Sequence, residues 1–344
     1  FVADRSNNLI RRITPAGVVT TVAGSAIVSG SADGSAALFW APCGVCVDAS
    51  GTLFVADRNN HTIRRGIPVA VAAPATSRLA NLSTRGFVSV GGDLTVGFVI
   101  RGGSGKSLLV RGVGPTLDTF GVAGALADPR LDLVPSNASA APSTNDDWAG
   151  GAALTSAFAG IGAFALPATS KDAALLATLP ATSYTARITS SVTGGSGIAI
   201  AEVYDRDASG ATSRLVNIST LGFVGTGAQA LVPGFVIDGT AAKQLLIRAV
   251  GPGLVPFGVG GTLADPQFSI IPLGKTFTVA SNDNWDGTAA TSVTFAQAGA
   301  FALPPSSRDA ALVVRLPPGG YTVSVSGIAD ATGTALVEVY DLDP

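Results

Sequence analysis

Apolar and polar residues alternate in short bursts along most of this chain. In YTVSVSG, Tyr321, Val323 and Val325 fall on one side and Thr322, Ser324 and Ser326 on the other, the period of two that a half-buried strand requires. Other runs, such as LLIRAV from Leu245 to Val250, are apolar almost throughout and read as strands covered on both faces. Gly, Pro, Asn or Asp interrupts the bursts every few residues, so no apolar run approaches the ~18 residues of a membrane-spanning helix. The predicted fold class is all-β: a partial propeller-blade segment followed by two tandem β-sandwich, jelly-roll-like domains.

The tandem organisation comes from internal repetition. FVADRSNNLIRRI from Phe1 to Ile13 returns as FVADRNNHTIRRG from Phe54 to Gly66, 53 residues on. After a Pro- and Ala-rich stretch, TSRLANLSTRGFV returns as TSRLVNISTLGFV, with Ser77 and Ser213 136 residues apart. GFVI, LLVRGVGP and ALADP return as GFVI, LLIRAVGP and TLADP, and NDDW, AFALP and AEVYD return as NDNW, AFALP and VEVYD. The boundaries predicted are 1–66 for the blade segment, 67–75 for a linker, and 76–208 and 209–344 for the two sandwich repeats, each with about eight short strands. The retained spacing predicts that Trp148 superposes on Trp285 and Tyr184 on Tyr321.

In the first segment, Ala37, Phe39, Pro42, Gly44, Val45, Val47, Asp48, Gly51, Leu53, Val55, Ala56, Asp57, Asn60, Ile63 and Arg64 follow one another as in the NHL repeat, which this segment resembles. That resemblance implies a β-propeller blade. About one and a half blades are present, and propellers close with four to eight, so a toroidal binding surface is not carried over. Asp57, Asn59 and Asn60 are expected to close a turn through local hydrogen bonds. In the repeats, the ASNDxW and DAALVVxLPxGxYTVxVSG stretches resemble bacterial pre-peptidase C-terminal-like domains. This implies a spacer, adhesive, sugar-binding or sorting module of a secreted protein rather than a catalyst.

Composition narrows the chemistry. Charged residues make up 13% of the chain and apolar ones 47%, with a net charge of −2. Lys and Arg are scattered singly, so no basic stripe could neutralise a row of phosphates, and nucleic acid is excluded as an expected partner. A charge-poor surface also resists self-association weakly. The first residue is Phe1 and no Met occurs, so a cleaved or longer upstream segment is expected.

GGSGKS from Gly102 to Ser107 is not a phosphate loop, because Ile100 stands where a glycine is needed. Cys43 and Cys46 read as small packed thiols, with a disulfide or function as the alternatives; three residues apart on a strand they point to opposite faces. Asp146, Asp147, Asp283 and Asp286 cluster beside Trp148 and Trp285. Turn capping, calcium binding, or sugar stacking on the tryptophans are the readings open to them. Arg111 and Arg248 lie inside apolar strands and need partners if buried; Asp128 and Asp265, at matching positions, are the expected ones. The sequons at Asn81, Asn137 and Asn217 are expected to go unused.

Neither sandwich contains His or Cys, so no nucleophile and base are expected and the chain is not read as an enzyme. No cofactor is expected, calcium excepted. The function expected is that of an extracellular or cell-surface structural and adhesive protein, a filament subunit assembled by strand or blade complementation, with copies of itself as partners. The alternative is a carbohydrate-binding accessory region of a larger secreted enzyme, with glycans as partners.

Overall fold

A computed structural model describes residues 1–344 apart from 14–16, 18, 27, 35–36, 49–51, 67–76, 104, 137–140, 209–210 and 344, and apart from the side chain of residue 20. The linker 67–75 and Asn137 lie outside the described residues. The chain forms two compact units, Phe1–Pro74 and Ala75–Pro344.

The first unit holds two three-stranded antiparallel sheets. One comprises β1 (Val2–Asp4), β2 (Leu9–Ile13) and β3 (Val19–Gly24), the other β4 (Pro42–Val47), β5 (Leu53–Asp57) and β6 (Thr62–Gly66). Ile10, Phe39, Leu53 and Val55 form a small common core. The repeated ADR-x-N sequence builds the same corner twice, a 3₁₀ turn closed by a left-handed residue, Asn8 (φ 57°) or His61 (φ 54°). Cys43 and Cys46 are both exposed and unbonded rather than packed. A bulge between Pro42 and Gly44 breaks the alternation on which the expectation of opposite faces rested.

The second unit contains both long repeats. The first supplies β7 (Arg78–Val88), β8 (Leu94–Arg101), β9 (Lys106–Val113), β10 (Pro129–Pro135), β11 (Ser143–Asn145), α1 (Ala152–Ile161), β12 (Ala173–Leu179), β13 (Ser183–Ser190) and β14 (Gly197–Asp205). The second supplies their counterparts in the same order: β15 (Arg214–Val224), β16 (Val232–Asp238), β17 (Lys243–Val250), β18 (Pro266–Pro272), β19 (Ala280–Asn282), α2 (Ala289–Ala298), β20 (Ala310–Leu316), β21 (Gly319–Gly327) and β22 (Gly333–Asp341). The two ten-residue helices are absent from the strand-only expectation. They are Ala-rich and carry little amphipathic pattern, α2 least of all.

Within each repeat the strands divide between two sheets, each sheet continues into the other repeat, and one register pair, Leu79 with Leu215, links the two into sixteen connected strands. One runs β11-β10-β13-β8-β15-β22-β17-β20 and the other β12-β9-β14-β7-β16-β21-β18-β19, antiparallel throughout. The joints are pseudo-symmetric. β8 pairs with β15 and β16 with β7, each ladder bulging at a matching residue, Val216 or Ala80. One continuous core draws on Leu82, Val96, Phe98 and Val110 of the first repeat and Ile218, Phe235, Ile247 and Val323 of the second.

The apolar runs of β9 and β17 are covered on both faces, as their composition predicts. Leu108 and Val110 enter the shared core, while Leu109 and Val113 pack outward under α1 with Trp148 and Phe158. Leu246 and Val250 do the same under α2 with Trp285 and Phe295. Gly114 and Gly251 end these strands where a Cβ would run into the carbonyl of Leu126 or Leu263, so no other residue fits.

Thr84 on β7 and Thr220 on β15, both buried, share a hydrogen bond of 2.7 Å between their hydroxyls where the two central strands cross. Thr84→Val or Thr220→Val alone strands one buried hydroxyl and should cost about 1–3 kcal/mol, whereas the double variant should lose clearly less than the sum. Urea unfolding of the four proteins measures the cycle, and strict additivity would show that the pair does not couple the repeats.

Candidate functional site

Buried charge is concentrated at equivalent places in the two repeats. Arg111 on β9 is fully buried and donates through Nε to Glu202 Oε2 on β14 at 2.8 Å and through Nη1 to the Phe164 carbonyl at 2.7 Å. Arg248 treats Glu338 (2.8 Å) and the Phe301 carbonyl (2.6 Å) in the same way. Arg111 and Glu202 are register partners on adjacent strands, as are Arg248 and Glu338, so the backbone ladder sets each pair side by side.

Aromatic rings complete each pocket. The Arg111 guanidinium lies 4.2 Å from the Phe164 ring centroid and 5.0 Å from that of Phe158, and Arg248 lies 4.4 Å from Phe301 and 4.9 Å from Phe295. Tyr204 and Tyr340 donate to the remaining glutamate oxygens. Burial first, and the neighbouring glutamate second, push both phenols well above their ordinary pKa, so they stay protonated. The cluster has no solvent-facing reactive atom. Its chemistry is to fasten β9 and β14, or β17 and β22, to the segment that follows each helix.

The expected partners of the arginines are therefore corrected. Asp128 lies 3.9 Å from Lys171, and Asp265 pairs with Arg308 at 2.8 Å. Burial raises the Asp128 carboxyl against the opposing pull of Lys171. Glu202 and Glu338 carry a signal that spacing alone makes visible: each is a carboxylate in the middle of an apolar stretch, three residues before the Asp that closes AEVYD or VEVYD, at the same place in both copies.

The NDDW and NDNW turns serve the fold. Asn145 Oδ1 accepts the Ala174 N–H at 2.8 Å and Asn282 Oδ1 that of Ala311 at 2.9 Å, which ties the short strands β11 and β19 to the edge strands β12 and β20. Asp146 bonds Ser191, and Asp147 pairs with Lys171 at 2.9 Å. Asp283 is exposed. Asp286 accepts from Thr288 and Thr291 at the start of α2, and the Thr288 backbone bond holds its carboxyl below the usual range. The structure does not bring these four carboxylates together, and among the described residues no cluster of three or more His, Cys, Asp or Glu could hold a metal.

Trp148 and Trp285 are buried rather than displayed for stacking. Their indole N–H groups donate to the Pro167 and Pro304 carbonyls at 3.0 and 3.1 Å, and each ring packs on Phe158 or Phe295. Tyr184 and Tyr321 likewise make matching bonds to the Pro180 and Pro317 carbonyls.

Two lysines escaped the sequence reading. Lys106, from the loop that mimics a phosphate site, is fully buried between Asp205 (2.8 Å) and Asp207 (2.9 Å), and Lys243 is buried beside Asp341 (2.9 Å) and Asp343 (3.7 Å). The D-x-D spacing after each VEVYD-type strand is the trace they leave in the sequence. In the blade segment, Asp57 is a hub of the same kind. It accepts from the Trp40 N–H (2.8 Å), Asn60 (2.7 Å) and Arg64 (3.1 Å), and Arg64 lies against Phe39.

Removing one member of a buried pair strands the other charge. Arg111→Met or Glu202→Gln should lower the unfolding free energy by about 3–5 kcal/mol. Asp128→Asn, at a partly exposed position, should change it by about 1 kcal/mol or less. Chemical denaturation compares the three, and equal losses at Glu202 and Asp128 would contradict the assignment of the partner.

The comparison with protein families agrees with the blade geometry over a short stretch. No curated protein matches the chain. The NHL repeat matches residues 39–65, the span that runs from the core residue Phe39 through β4 and β5 to Arg65 of β6.

Proposed function

We propose that this chain is a non-catalytic, extracellular structural and adhesive module whose blades are completed by a partner, with further copies of the chain as the partner of choice. The observation that carries this reading is the apolar surface of the blade unit. Ile63 is 71% exposed, Val19 54%, Ile13 50% and Trp40 49%, in a unit whose buried core is only a few residues. Surfaces of this kind mark interaction sites.

The hydrogen-bonding edges point the same way. Among the described residues, β1 and β3 pair with β2 alone, and β4 and β6 with β5 alone. Each sheet can accept a further strand by β-augmentation. When the donor is another copy, the contact is heterologous and propagates into a filament unless it closes. NHL repeats build protein-interaction surfaces, and the resemblance of the long repeats to domains that end secreted bacterial proteins supports an extracellular setting. The charge-poor composition leaves little repulsion between copies.

Light scattering of residues 1–344 across a concentration series tests the proposal. The expected result is a mass that rises with concentration, and a monomer for the double variant Val19→Lys, Ile63→Lys. A wild-type monomer whose amides in residues 1–66 resist hydrogen exchange would overturn it, because its edges would then need no partner.

A further inference from the structure

The two repeats match residue for residue at most of their polar clusters, and one corner breaks the match. Where β7 meets β16, Arg78 and Asp238 are register partners. Arg78 donates to Asp238 Oδ2 (3.2 Å), Asp205 Oδ2 (3.0 Å) and the Asp207 carbonyl (2.7 Å). Every charge there has an opposite beside it.

At the related corner, where β15 meets β8, Arg214 stands opposite Arg101. A guanidinium has taken the place of the Asp238 carboxylate, and Asp341 and Asp343 merely repeat Asp205 and Asp207. Among the described residues, no carboxylate lies within the 4.0 Å ion-pair distance of Arg101 or Arg214. Asp341 keeps Lys243 on Oδ1 at 2.9 Å, but its Oδ2 is buried and has no hydrogen-bond partner, and the side chain is 0% exposed.

A cavity of about 410 Å³ opens at this corner, lined among others by Arg101, Arg214, Gln244, Gln297, Asp341 and Asp343. Its volume is within the range of small-molecule sites, about 300–1,000 Å³. Two guanidiniums in register repel each other unless an anion lies between them, and a buried carboxylate oxygen without a donor is costly. One ligand answers both demands: a carboxylate for the arginine pair and an adjacent hydroxyl to donate to Asp341, with the Gln244 and Gln297 amides free to meet further hydroxyls.

We propose that this cavity binds a small polyhydroxylated carboxylate of the uronic acid class, its carboxylate on Arg101 and Arg214 and a hydroxyl on Asp341. Inorganic phosphate would meet the arginines and could donate one O–H to Asp341 but would leave the glutamine amides unmet, and a neutral sugar would meet only the carboxylate and amides. The site lies wholly within the Ala75–Pro344 unit and does not depend on assembly through the blades.

Calorimetric titration of residues 1–344 with glucuronate, glucose and inorganic phosphate tests it. The expected result is saturable uptake of one glucuronate per chain, with glucose and phosphate each weaker by on the order of tenfold or more. Arg214→Gln should weaken glucuronate by a similar factor. Arg101→Asp recreates the arrangement around Arg78, so it should abolish uptake while melting at or above the wild-type temperature. That melting point separates loss of the site from loss of the fold. Glucuronate that fails to saturate by about 10 mM, phosphate bound as tightly as glucuronate, or unchanged affinity in a folded Arg101→Asp protein would each overturn the assignment.

Discussion

Backbone hydrogen bonding at the first two strands of each repeat is the constraint around which the larger unit is organised. β7 and β8 belong to different sheets, and inside their own repeat each has a neighbour on one side only, β14 or β13. Unpaired N–H and C=O groups in the middle of an apolar structure are not tolerated, so the second repeat must supply β16 and β15. Once those ladders form, the two inner faces become continuous and a single core follows. The pseudo-twofold relation, the shared threonine pair and the matching bulges are consequences of this one requirement.

Buried charges are the second layer of the same logic. In a chain poor in charged residues, several are nonetheless placed deep in the structure. Arg111, Arg248, Lys106 and Lys243 each sit between strands that the ladders have already aligned, and each meets a carboxylate on a neighbouring strand or on the segment just beyond it. Such pairs add little net stability over apolar substitutes, but they penalise misalignment, since a register slip of one residue would strand a charge. Repetition of one pair in both copies therefore helps to define the register.

Much of this was legible in advance. The strand-rich character and the doubly covered β9 and β17 follow from period and composition, and the apolar setting of Arg111 and Arg248 marked them as charges that need partners if buried. The partner of Arg111 was not legible, because Glu202 lies 91 residues away and strand adjacency, not sequence proximity, joins them. Nor was the sharing of sheets between repeats, since a strand alternates in the same way whether its neighbour comes from its own repeat or from the other. The short helices were hidden by alanine, which suits a helix but gives no apolar stripe to detect. The role of the NDDW and NDNW turns was left open for a simpler reason. Asp, Asn and Trp can bind ligands or hold a corner together, and only coordinates show that Asn145 and Asn282 bond the edge strands while the indoles face inward.

The position of the terminal strands of this unit has a mechanical meaning. β7 opens the unit and β22 closes it, yet neither is at a rim. β7 is held by eight register pairs to β14 and seven to β16, and β22 by eight to β15 and six to β17. A rim strand under tension peels away one bond at a time, whereas a strand flanked on both sides and pulled along its length must rupture two ladders together. Force entering at either end of this unit would meet a strand anchored on both sides first, so the fused tandem resists unravelling from its ends.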